Sequence, residues 1–208
     1  PLLLLEKQEK IVTNNVNLSN NFIITGPNAS GKTTVIKGIG INILLTQQIG
    51  FGFYDSASVY LYDRIHSYIN IPDTSERDSL FQAEARQCKN ILKEIEENSN
   101  FNHLCVFDEL YSGTNPEEAI TSAYSYLNYL NQFQNVNFIL TTHYYKLCKK
   151  LDNNTNKNYH MCIKKIKNND FDFTYKIKKG ISKVKGGIKV LKDLEYPDNI
   201  IKNIQNYK

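Results

Sequence analysis

Eight consecutive residues, Gly26-Pro27-Asn28-Ala29-Ser30-Gly31-Lys32-Thr33, fit the pattern G-x-x-x-x-G-K-[ST]. The glycines let backbone N–H groups converge on phosphate oxygens, and a helix starting behind them points its positive end at the same charge. Lys32 is then placed to reach the β- and γ-phosphates of a nucleotide, and the Thr33 hydroxyl to ligate Mg²⁺. With Thr34, residues Gly26 to Thr34 form the expected phosphate-binding set. Roughly 75 residues on, Asp108-Glu109 ends the apolar run His103-Leu104-Cys105-Val106-Phe107. Asp108 is the expected Mg²⁺ ligand, directly or through water, and Glu109 the general base that orients the attacking water. An Asp-Glu pair by itself usually marks only a surface; the upstream glycine pattern is what turns it towards nucleotide hydrolysis. His143, after Thr141-Thr142 at the end of a third apolar run, is expected to contact the γ-phosphate or the water.

These residues need strands that stop at one edge. Phe22 to Thr25, His103 to Phe107 and Asn137 to Leu140 read as buried strands. Helical patterns lie between them. One runs from Lys32 to about Thr46. The next, Ser79 to about Ile95, opens on a Ser79/Gln82 capping box and repeats Phe81, Ala85, Cys88, Leu92 and Ile95 on one face. The third, Pro116 to about Phe133, has Asn115 as N-cap and Glu118 completing the cap. Tyr159 to Ile166 and Phe171 to Lys178 alternate around Asn168-Asn169, a hairpin signal. After Gly180 short helices return, with Pro197 marking a new start. The expected fold is therefore α/β: a mostly parallel sheet, ligand at the strands' C-terminal ends, helices on both faces, and one antiparallel hairpin.

The 208 residues suffice for one such domain, and 41% hydrophobic with 22% charged residues is ordinary globular usage. No apolar run approaches a membrane span, and Leu2 to Leu5 is too short for a secretory signal. The four cysteines are far apart with no Cys-x-x-Cys pair, which suits free thiols in a reducing, intracellular compartment, cytoplasm or nucleus. The opening Pro1 suggests a fragment of a longer chain. Residues 1–145 carry 9 Lys+Arg against 15 Asp+Glu, whereas residues 146–208 carry 16 against 6. The basic half suits nucleic acid or an acidic partner, or else is a solvated lysine-rich face.

The strings TGPNASGKTT, DSLFQAE, FDELYSGTNPEEA, TTHYYKL and GISKVKGGIKVLKDLEYPDNII occur in the order and spacing found in the ATPase domain of the MutS family of DNA mismatch repair proteins. The resemblance extends from Pro1-Leu2-Leu3 and Ile11-Val12-Thr13-Asn14 to the C-terminus. It implies an ABC-type P-loop NTPase, in which two protomers sandwich nucleotide between one phosphate loop and the partner's signature segment. Residues 1–180 would form that domain, and 181–208 the start of a C-terminal helical dimerisation segment. Asn28 becomes a γ-phosphate contact. Ser79-Leu80-Phe81-Gln82-Ala83-Glu84 resembles the family's Ser-Thr-Phe-Met-x-Glu signature, so Ser79 would act in trans on the partner's ATP. Asp108, Glu109 and His143 match the metal, base and histidine positions. Tyr175 falls near the family's adenine-stacking position, its other reading being an alternating strand aromatic.

The resemblance implies ATP and Mg²⁺ as cofactors, ATP hydrolysis as the reaction and DNA mismatch repair as the role. Partners would be a second MutS-like protomer, double-stranded DNA through upstream domains, and a downstream repair factor, with no membrane. Other readings are a MutS-like ATPase in recombination control or ribosome-associated quality control, a P-loop phosphotransferase, and a dimer clamp that holds ATP without turnover. Ala29-Ser30 where the family usually has Met-Gly, and Leu110-Tyr111-Ser112-Gly113-Thr114-Asn115 for Ile-Gly-Arg-Gly-Thr-Ser, point to a divergent branch. His103/Cys105 and His160/Cys162 each put two potential metal ligands on one strand face, against which stands the commoner buried strand cysteine. Tyr124, Tyr126 and Tyr129 read as helix packing before base stacking.

Overall fold

A computed structural model describes residues 11–71, 79–165, 171–184 and 186–206. Among the described residues six strands form one sheet: β1 (Asn21–Thr25), β2 (Arg64–Tyr68), β3 (His103–Asp108), β4 (Val136–Thr142), β5 (Asn156–Lys165) and β6 (Phe171–Lys179). Their order is β2-β3-β4-β1-β5-β6. All neighbours are parallel except β5 and β6, which run antiparallel. Among the described residues six helices accompany them: α1 (Lys32–Ile49), α2 (Leu80–Glu97), α3 (Pro116–Leu130), α4 (Tyr145–Leu151), α5 (Gly187–Asp193) and α6 (Asp198–Asn206). No helix among the described residues is long and apolar enough to cross a membrane.

Alternation along the central strands builds a core on each face. Cys105, Phe107, Phe138 and Leu140 point to one side, where Cys88, Ile91 and Ile95 of α2 and Ala119, Ala123 and Leu127 of α3 cover them. Leu104, Val106 and Ile139 point to the other, against Ile36 and Ile43 of α1 and Met161 of β5. Strands buried on both faces have little room for polar side chains, which is why their sequence is almost continuously apolar. The expected α/β fold with its parallel sheet and hairpin is thus present, while the Asn168-Asn169 turn lies outside the described residues.

The helix ends follow from local chemistry. Ser79 accepts from Gln82 N and the Gln82 side chain closes the capping box. Asn115 Oδ1 accepts from the amides of Glu117 and Glu118, with Pro116 at the first helical position. Glu118 does not complete that cap as expected, because its carboxylate takes the Thr114 hydroxyl. Helix α3 stops at Leu130, short of Phe133, with Asn131 as its C-cap. Helix α1 runs on to Ile49 and ends at Gly50, whose left-handed φ of 77° a glycine adopts without the strain a Cβ would bring. Strand β2 was not expected at all.

The register sets the functional edge. Thr25 pairs with Thr142, and Asp108 with Thr141, so β1, β3 and β4 end level with one another. On the far side, β6 is an outer strand whose exposed Lys176, Lys178 and Lys179 discourage further strand pairing. After Gly180 the chain turns back onto β1: Ser182 N donates to Thr25 Oγ1 at 2.7 Å, and a Cβ on Gly186 would lie 2.3 Å from Pro27 Cβ.

Candidate functional site

The glycine-rich turn after β1 is shaped by close packing. A Cβ on Gly26 would stand 2.8 Å from Ser30 Oγ and 3.0 Å from Met161 Cβ. Gly31 has φ 93° and caps α1. No acidic residue occupies the first turn of α1, so its unpaired N–H groups and positive end are left for an outside anion. Ala29 holds a left-handed φ of 63°, a cost that a non-glycine residue bears only where the surroundings impose it. The Ser30 hydroxyl is buried and has no partner.

Lys32 is buried under this turn, and its ammonium donates to Gly26 O at 3.1 Å and Pro27 O at 3.3 Å. It also lies 3.4 Å from Glu109 Oε1. The Thr33 hydroxyl donates to Asp108 Oδ2 at 2.8 Å, and the Thr141 hydroxyl donates to the other oxygen, Oδ1. Thr141 also receives the Glu109 amide on its carbonyl at 3.1 Å and on its hydroxyl at 3.2 Å. Because β4 stands between β1 and β3, this one threonine bridges the two halves of the site. A strand-end threonine level with an acidic strand end was the available signal for it.

Glu109 is the junction. One oxygen faces Lys32 and the other lies 3.5 Å from His143 Nδ1. The His143 hydrogen bond, ahead of the Lys32 charge, holds the Glu109 carboxyl below its ordinary value against the opposing pull of burial. It is therefore an ionised acceptor at neutral pH, able to orient a water and take a proton from it. His143 follows β4 directly, half exposed, with its ring tilted over Tyr144.

A cavity of about 560 Å³ opens at this edge, lined by Asn28, Lys32, Asp108, Glu109, Glu84 and Tyr175 among others. Its volume suits a nucleotide-sized ligand. Tyr175 reaches it through a β-bulge: Met161 pairs with Ile177 but Ile163 pairs with Phe173, leaving extra residues on β6. Tyr175 has φ 55° there, and its ring approaches so closely that a Cβ on Gly31 would sit 3.1 Å from Cδ1. It is not a regularly alternating strand aromatic.

The Thr33–Asp108 oxygen pair at the cavity wall is hard-ligand chemistry and fits Mg²⁺, which takes one or two protein oxygens and completes its shell with phosphate and water. Among the described residues no group of three or more His, Cys, Asp and Glu converges as a metal cluster. His103 is committed elsewhere: its Nδ1 pairs with His66 Nε2 at 3.0 Å and its Nε2 with Asn98 O at 3.0 Å. Burial pushes the thiols of Cys88 and Cys148 up to about 12, and Cys105 upward as well, which disfavours the reactive thiolate form of all three.

The expected residues from Gly26 to Thr34, Asp108, Glu109 and His143 are thus brought to one edge. Ser79 is not: it is exposed at the start of α2, with Oγ on Gln82 N at 3.3 Å, and it does not line the cavity. Sequence reasoning gave no role to Glu84, which is 2% exposed and lies beside the cavity.

Residues 22–208 match the family model of MutS domain V. The chain is 31% identical over 211 residues to DNA mismatch repair protein MutS of Bacteroides fragilis, covering 95% of this chain and 24% of the relative. Against the MutS protein of Prochlorococcus marinus it is 30% identical over 202 residues, covering 95% and 22%. DNA mismatch repair protein spellchecker 1 of Drosophila melanogaster is 27% identical over 211 residues, covering 99% and 22%. The chain spans about a quarter or less of the length of these relatives.

Proposed function

The chain belongs to the MutS family, and on that premise we propose that residues 1–180 are an ABC-type P-loop ATPase domain that binds ATP with Mg²⁺ and hydrolyses it to ADP and phosphate. The observation that carries this reading is the meeting, at one sheet edge, of Lys32, the Thr33–Asp108 contact and the Glu109–His143 pair. The turn from Gly26 to Gly31 and the first residues of α1, through Thr34, cradle the phosphates. Asn28 and Lys32 take the terminal phosphate. Thr33 and Asp108 hold Mg²⁺, which when bound offsets charge on the phosphate oxygens.

Lys32 now shares its charge between two carbonyls and Glu109. A phosphate entering under the turn competes for that ammonium and frees one Glu109 oxygen for water. His143 keeps the carboxylate oriented, Glu109 accepts the proton as the water oxygen bonds to phosphorus, and ADP leaves with the electrons of the broken P–O bond. Tyr175 lies where it can stack on the base.

Ser79, exposed at the open end of α2, serves the nucleotide of a second protomer, and residues 181–208 begin the helical segment through which the two associate. DNA mismatch repair, named in all three relatives, is the proposed process, with DNA and any downstream repair factor met through parts of the longer protein.

Measurement of phosphate release from ATP by the wild type and by Glu109→Gln tests the site. The variant should retain ATP binding and lose turnover by on the order of 10²-fold or more, the usual reach of a lost general base. Equal turnover in the two proteins removes Glu109 as the base. Phosphate found on an acceptor instead of free in solution removes hydrolysis as the reaction.

A further inference from the structure

Glu84 lies in the buried stripe of α2, four residues before Cys88, seven before Ile91 and eleven before Ile95. A carboxylate in a core stripe is costly unless donors meet it. Here they come from the loop that follows Glu109: Ser112 N at 3.0 Å and Ser112 Oγ at 2.8 Å to Oε1, and Gly113 N at 3.0 Å to Oε2. The same loop presses on the first turn of α2, where a Cβ on Gly113 would stand 2.7 Å from Phe81 N.

The loop is strained. Glu109 and Tyr111 have φ of 53° and 57°, left-handed values that neither residue adopts without constraint, and they bracket the buried Leu110. On one side the Glu109 amide is tied to Thr141 of β4. On the other, the Tyr111 amide donates to Tyr68 Oη at 3.3 Å, and the next two amides end on Glu84. Charge-assisted hydrogen bonds of this kind are the stronger ones available to a backbone.

The geometry points to Glu84 as a positioning residue for hydrolysis: its buried carboxylate clamps the strained loop behind Glu109 to the start of α2, so that the Glu109 and Ser79 segments are braced as one piece. This role in turnover rests on the reading of Glu109 as the base; the clamp itself does not. Glu84 borders the cavity, but the hydrogen bonds it accepts come from Ser112 and Gly113 and not from the turn that cradles phosphate, so its loss should disturb the reacting geometry more than nucleotide affinity.

Glu84→Gln keeps the side chain's size but places an NH₂ against a loop donor. Its ATP affinity should stay within about twofold of wild type while kcat falls on the order of tenfold. In the nucleotide-free protein, the Ser112 and Gly113 amides should exchange with solvent at least about tenfold faster. Ser112→Ala, which removes the hydroxyl donor and leaves the two amide donors, should show a milder form of the same split, and the double variant less than the sum. Unchanged exchange at Ser112 and Gly113 overturns the clamp. Equal losses in affinity, melting temperature and kcat overturn the positioning role in favour of a merely structural one. A wild type that fails to hydrolyse ATP sinks the proposed ATPase, while amide exchange still decides the clamp. Should Glu84→Gln not fold, Ser112→Ala decides by the same readouts, intact kcat and intact Gly113 protection counting against the proposal.

Discussion

Each oxygen of the Glu109 carboxylate has its own cationic or donor neighbour, Lys32 at 3.4 Å and His143 at 3.5 Å. Both contacts favour the ionised form, and the histidine contact does so most. Because the folded-state value is lowered, stability linked to this carboxylate is fully present above the ordinary value of 4.5 and is lost as pH falls through the lowered one. Carboxyl-carbon NMR titration of Glu109 should therefore give a midpoint below 4.5, with His143→Ala moving it upward more than Lys32→Ala does. A midpoint at or above 4.5 in the wild type would show that burial outweighs the two neighbours. The consequence for chemistry is that Glu109 is a weak base that is always charged near neutrality. As the proposed base it would then work by orientation of water more than by proton affinity.

Helix α3 fixes where the loop behind Glu109 ends, and its N-cap is Asn115. Asn115→Ala removes an acceptor shared by the Glu117 and Glu118 amides and should cost about 1 kcal/mol, read as a lower denaturation midpoint with an unchanged slope. No change in midpoint would mean that water replaces the cap. Caps of this kind were legible in the sequence because Ser79/Gln82 and Asn115-Pro116 act within a few residues of chain. So were β1, β3 and β4, whose double burial demands apolar runs. Strand β2 was not: Arg64-Ile65-His66-Ser67-Tyr68 is an outer strand, and only Tyr68 is buried. Nor was the bulge that turns Tyr175 into the cavity, since pairing across β5 and β6 creates it. Glu84 was hidden by the phase given to α2. The face read from the sequence, through Phe81, Ala85, Cys88, Leu92 and Ile95, leaves Glu84 at its margin, whereas the buried stripe shares Cys88 and Ile95 with it but is shifted to take in Ala83, Glu84 and Ile91.

At the scale of the whole molecule, the cavity holds Lys32 but not Ser79, so one chain supplies only part of the proposed site. Mixing Lys32→Ala with Ser79→Arg tests this, because a mixed dimer pairs an intact Lys32 with an intact Ser79 at one of its two sites. Random reassortment should restore roughly a quarter of wild-type turnover if the sites act independently. Activity no greater than that of the separate variants, in a mixture shown to contain mixed dimers, would confine Ser79 to its own chain. The strand order has another consequence. Strand β4 lies between β1 and β3 although it follows both in the chain. During synthesis, a ribosome that has released everything through Asp108 has delivered Thr33 and its carboxylate partner, but not the central strand that sets them side by side. Pairings so distant in sequence form slowly. On the proposed reading, nucleotide would therefore not guide the early steps of assembly: its pocket is complete only once β4 has slotted in, so that it would act as a lock on a finished sheet rather than a mould for one being made.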